Sequence, residues 1–66
     1  MARLTQRETE ILKLVLDEAS TIEIAEKLEI SKRTVDTHRH NIWKKSDAHN
    51  LIGLYRYALL HNIISK

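Results

Sequence analysis

The chain has 66 residues, a net charge of +2, no cysteine, no proline and a single glycine, Gly53. Without cysteine there is neither a disulfide framework nor a thiolate metal site, and no apolar run is long enough for a membrane span or a signal peptide. A chain this short makes one domain, residues 1–66, that buries about 60% of its unfolded surface, and the scarcity of breakers and aromatics points to helices.

The small net charge hides a polarity along the chain. Residues 1–30 hold four basic and seven acidic side chains, a balance of −3. Residues 31–66 hold seven basic and two acidic ones, a balance of +5, and all four histidines. Such a polarised surface suits a polyanion partner on one side; an uneven solvated surface is the bland alternative.

The first helix is predicted over residues 6–17. Thr5-Gln6-Arg7-Glu8 has the form of a capping box, with the Thr5 hydroxyl taking an amide three residues on and Glu8 taking the Thr5 amide. Leu4 in front is placed as a staple. Ile11, Leu12, Leu14 and Val15 form the apolar stripe, and Arg7, Glu10, Lys13 and Asp17 decorate the other side.

Ser20-Thr21-Ile22-Glu23 is a second capping box and opens a second helix over 21–28. Ile24, Ala25 and Leu28 face inward at helical spacing. Glu29-Ile30-Ser31 is too short to be a loop with its own structure. The backbone at Glu29 tends towards positive φ, which costs a non-glycine residue about 1 kcal/mol. Ile30 can drop beneath both helices, and Ser31 is a good N-cap for the next one.

The third helix is predicted over 32–45, with Val35, His38 and Ile42 inward. Its outer side carries Arg33, Asp36, Thr37, His40, Asn41 and Lys44, with no aliphatic residue among them. Two helices joined by so tight a turn fit a helix-turn-helix, whose second helix suits a DNA major groove. Trp43 follows the inward Ile42 and is assigned to core packing rather than to base stacking. A fourth helix, 51–61, is capped by Asn50, with Leu54 and Ala58 inward and Tyr57 a further candidate. Leu51, Ile52, Tyr55 and Leu59 exceed what one buried face can take. The fold class is all-α, a four-helix bundle containing a helix-turn-helix.

Leu4-Thr5-Gln6-Arg7-Glu8 together with IAEKLEISKRTVDTHR resembles the DNA-binding domain of LuxR/FixJ/NarL-type (GerE-like) bacterial transcription factors, from about Leu4 to Ile64. The resemblance implies sequence-specific binding of double-stranded DNA and transcriptional regulation in the cytoplasm, in company with a receiver or sensing domain. Thr37 and His40, with Asp36 and Arg33, would address bases; Thr34, Lys44 and Lys45 would hold the phosphate backbone, with amides at the start of the third helix. RNA polymerase is a further partner it implies, with no cofactor and no membrane.

Three positions depart from the family pattern. Glu18 stands where a glycine usually ends the first helix, leaving that end open by a turn. Ile22 replaces a polar or basic residue that can approach a phosphate. Asp36 stands where many members carry a base; it can accept from a cytosine amino group or orient Arg33 or His40.

Leu51, Tyr55 and Leu59 follow an i, i+4, i+8 line and are the candidate contact of a homodimer on DNA, as in several relatives. Closing over the small core is the alternative use of these residues. Gly53 either permits a close backbone approach or is a tolerated weak spot. The same apolar surplus supports a rival function, a helical protein-interaction module without DNA.

No metal or catalytic constellation emerges. His38 and His40 point about 200° apart on one helix, so they cannot share an ion. His38 is assigned a structural place against the preceding helix. There is no glycine-rich phosphate loop, and Ser20, Ser31, Ser46 and Ser65 have cap or terminus explanations, so no enzyme is expected.

Overall fold

A computed structural model describes residues 3–64. Four helices follow one another: α1 (Gln6–Leu16), α2 (Thr21–Leu28), α3 (Lys32–Ser46) and α4 (Leu51–Leu60). The described residues contain no strand. None of the helices is long and apolar enough to cross a membrane.

The helix starts follow the local sequence closely. In α1, Thr5 Oγ1 accepts from the Glu8 amide at 3.1 Å, and Glu8 Oε1 accepts from the Thr5 amide at 2.9 Å. In α2, Ser20 and Glu23 repeat the exchange at 3.1 and 2.7 Å. The Ser20 backbone amide and hydroxyl hold the exposed Glu23 carboxyl below its usual value. Asn50 Oδ1 caps α4 by accepting from the Gly53 amide at 2.8 Å.

α2 ends at Leu28 as expected, and the other three helix ends sit one residue from the expected place. α1 stops at Leu16 rather than at residue 17, α3 runs one residue past 45 to Ser46, and α4 stops at Leu60 rather than at 61. The cause is a left-handed residue after each helix: Glu18, Glu29, Asp47 and Asn62, with φ between 57 and 66°. After three of the helices this residue is followed by a six-residue closure. Ala19 donates to the Leu14 carbonyl at 3.0 Å, Ile30 to Ala25 at 3.0 Å, and Ile63 to Ala58 at 2.8 Å. Each bond satisfies a carbonyl that the helix leaves open. Glu18 thus takes the left-handed conformation without being glycine.

The core gathers Ile11, Leu12, Ile24, Ala25, Val35, Ile42, Leu54 and Ala58. α1 and α2 pack mainly on α3, and α4 closes the remaining side against α1 and α3. Leu4, Leu28, Ile30, Trp43 and Tyr57 are half-buried against this core, so Trp43 packs rather than projects. Burying each large aliphatic side chain is worth about 1.5–3 kcal/mol, and the eight core residues come from all four helices. Gly53 serves a contact inside the chain: a Cβ there would lie 3.2 Å from the Cβ of Ala48, in the α3–α4 connection.

Candidate nucleic-acid interface

The α2–turn–α3 unit presents one helix face to solvent, and the turn sets its angle. Glu29, at φ 58°, reverses the chain after α2. Ala25 is buried at the crossing, where a small side chain lets the helices approach. Ser31 is extended at φ −75° and ψ 156° and accepts from the Thr34 amide at 3.1 Å. The hydroxyls of Ser31 and Thr34 lie 2.9 Å apart.

From that start, α3 buries Val35 and Ile42 and exposes Arg33, Thr34, Asp36, Thr37, His40 and Lys44. Asn41, at the edge of this face, is half-buried. Six of the seven residues expected to meet DNA are therefore exposed; helical spacing puts Arg33, Asp36, Thr37, His40 and Lys44 on one face, with Thr34 on its flank. Among the described residues no ion pair involves Arg33, Asp36, His40 or Lys44. Asp36 therefore does not orient Arg33 or His40 in the protein alone. Thr37 turns its hydroxyl back onto the helix, donating to the Arg33 carbonyl at 3.1 Å.

Lys45 is placed differently. Its Nζ lies 2.8 Å from Oε1 of Glu8, on α1. Glu8 is buried, and the same oxygen accepts from the Thr5 amide. Burial pushes the Glu8 carboxyl up, but the Lys45 ammonium, the Thr5 amide and the nearby His38 together hold it below its ordinary value. His38 is half-buried, and its Nδ1 is shielded from water without a hydrogen-bond partner among the described residues. Sequence reasoning missed the Glu8–Lys45 pair. Glu8 already had a role in the capping box, and no periodicity links residues 37 positions apart.

On the far side, α4 leaves Leu51 and Tyr55 59% and 41% exposed, with Leu59 half-buried beside them. Ile52 is 72% exposed and widens this apolar arc. Its signal was the surplus of apolar residues in α4, of which the i, i+4, i+8 line took only three. Leu51, Ile52 and Tyr55 border an open apolar recess completed by Val15 and Leu16 of α1.

Comparison with known proteins gives a consistent pattern. A family model described as GerE, bacterial regulatory proteins, luxR family, matches residues 2–58. The chain is 51% identical over 57 residues to the uncharacterized response regulatory protein YgeK of Escherichia coli, covering 86% of the chain and 39% of that protein. It is 49% identical over 63 residues to the transcriptional regulatory protein MctR of Rhizobium johnstonii, covering 96% of the chain and 29% of that protein. The crystal structure of the response regulator ChrA, from a heme-sensing two-component system, superposes with a TM-score of 0.82 at 33% identity. That match covers 97% of the chain and 32% of the ChrA chain. The chain thus spans well under half the length of these curated relatives.

Proposed function

The chain belongs to the luxR family of bacterial regulatory proteins, and on that footing we propose that its four helices act as one domain that binds double-stranded DNA sequence-specifically and regulates transcription. The observation that carries this is the exposed face of α3, polar and without an aliphatic side chain, on the second helix of a helix-turn-helix. Arg33, Asp36, Thr37 and His40 are assigned to base edges. Thr34, Lys44 and the free amides at the start of α3 are assigned to phosphates. Lys45 keeps its assignment to phosphate as well, since an ammonium has two more N–H groups beyond the one given to Glu8. The name of MctR, a transcriptional regulatory protein, supports the transcriptional role. The work of such a domain places the chain in the cytoplasm with the chromosome, RNA polymerase is its proposed protein partner in transcription, and no catalysis is assigned to it.

On a two-fold operator a second copy would pair through Leu51, Tyr55 and Leu59, joined by Ile52. The exposure of Leu51, Ile52 and Tyr55 is what favours a protein contact there. The same exposure supports the rival reading, an interaction module that never touches DNA.

Salt separates the two readings. If each of two domains neutralises about four phosphates, log affinity against log salt has a slope of roughly −7. Lys44→Ala removes one phosphate from each domain and makes the slope shallower by about 2. Anisotropy of a labelled duplex between 50 and 300 mM salt, on the order of the range where such contacts dominate, measures both. A flat response would leave only the interaction module.

A further inference from the structure

We infer that Thr37 reads a pyrimidine 5-methyl group in the major groove through its own γ-methyl, its hydroxyl proton being given to its own helix rather than to a base edge. This rests on the DNA reading above and names what one position of the site contains.

The hydroxyl is already engaged. Thr37 Oγ1 donates to the Arg33 carbonyl at 3.1 Å, and a hydroxyl has one proton to give. Such back-bonding holds the side chain in one staggered position, with Oγ1 against its own helix. The γ-methyl is then the group this exposed residue has for an apolar contact. Thr37 lies two positions after the buried Val35 and five before the buried Ile42, so it points away from both.

Its neighbours on that face are Arg33, Asp36, His40, Asn41 and Lys44, all polar. Thr34, the other threonine of α3, lies about 60° round on the flank and has its hydroxyl against Ser31. Thr37 therefore supplies the one apolar group at the middle of the face. On the floor of the major groove the matching apolar group is the 5-methyl of thymine; 5-methylcytosine carries the same group on a different base. A hydroxyl satisfied within the helix also leaves no donor stranded when the groove closes over it.

The test begins with duplexes selected from random DNA by the wild-type chain. Each thymine is then replaced in turn by deoxyuridine, which removes only the methyl, and dissociation constants are measured for wild type, Thr37→Val and Thr37→Ser. One position should weaken wild-type binding about fourfold, the worth of one buried methyl. Thr37→Val, which keeps a γ-methyl, should retain that sensitivity. Thr37→Ser, which keeps the hydroxyl, should bind the thymine and deoxyuridine duplexes alike. Placing cytosine and then 5-methylcytosine at that position distinguishes the sources. A gain on methylation assigns the methyl group itself, and no gain assigns thymine. Selected duplexes without a deoxyuridine-sensitive position would overturn the inference, as would sensitivity kept in Thr37→Ser and lost in Thr37→Val. Failure to select any sequence would overturn the DNA reading itself.

Discussion

Glu8 takes part in two unrelated tasks with one carboxylate. It completes the α1 capping box, and it meets Lys45 of α3 at 2.8 Å. Because its folded value lies below the ordinary 4.5, the stabilisation is fully present above about pH 4.5 and is lost as pH falls through the lower folded value. Thermal unfolding from pH 6 down to about pH 3 should show wild type losing more stability than Glu8→Gln. Equal acid losses would sink this account. Lys45→Ala leaves a buried carboxylate without its partner and should cost about 1–3 kcal/mol in urea melts. Lys44→Ala, at an exposed residue with no ion-pair partner among the described residues, should stay within about 0.5 kcal/mol. A stability loss confined to Lys45→Ala, beside DNA weakening in both variants, separates the structural role from the phosphate role. The cap was legible in the sequence because its partners are three residues apart. The ion pair was not, because only the packing of α1 on α3 brings its members together.

Helix starts and helix ends differ in how much a sequence says about them. Thr5, Ser20, Ser31 and Asn50 name all four starts, because an N-cap needs a side-chain acceptor at a fixed place. The ends depend on a left-handed residue, and here none of the four is glycine; α2 ends at Leu28 as expected, while the other three ends moved by one residue. Asp47 and Asn62 tolerate this conformation better than most side chains, whereas Glu18 and Glu29 gain nothing from theirs. Glu29→Gly should therefore raise stability by about 0.5–1 kcal/mol, as relief of strain outweighs the extra freedom of the unfolded chain. Urea denaturation measures the balance, and a destabilised Glu29→Gly would show that unfolded-state entropy wins. The outer face of α3 was legible for the opposite reason: it depends only on helical period, and five of the six residues placed on it are exposed, with Asn41 half-buried at its edge.

At the scale of the whole molecule, the two ends of the proposed assembly lie on different helices, α3 for DNA and α4 for a second copy. The surplus of apolar residues in α4 was visible in the sequence, but their sorting was not. Tyr57 packs half-buried against the core and Ile52 stands 72% exposed, an outcome set by how α4 lies on α1 and α3. Tyr55→Glu should abolish cooperative binding to a full two-fold operator while leaving affinity for a single half-site within about twofold, since a surface change of this kind costs little folding stability. Equal losses on both DNAs would place Tyr55 outside any contact between copies.

The span of 37 residues between Glu8 and Lys45 also bears on the order in which the molecule assembles. The caps and helix closures join residues at most six apart, so they form on the microsecond scale of helix growth, with little loop entropy to overcome. The ion pair has to wait until the chain has folded back on itself. Contacts made after the rate-limiting step govern unfolding rather than folding, so the same Glu8→Gln variant should unfold faster in stopped-flow experiments while refolding at the wild-type rate. The helix proposed to enter DNA holds its shape through local bonds, whereas its anchorage to α1 depends on the fold as a whole.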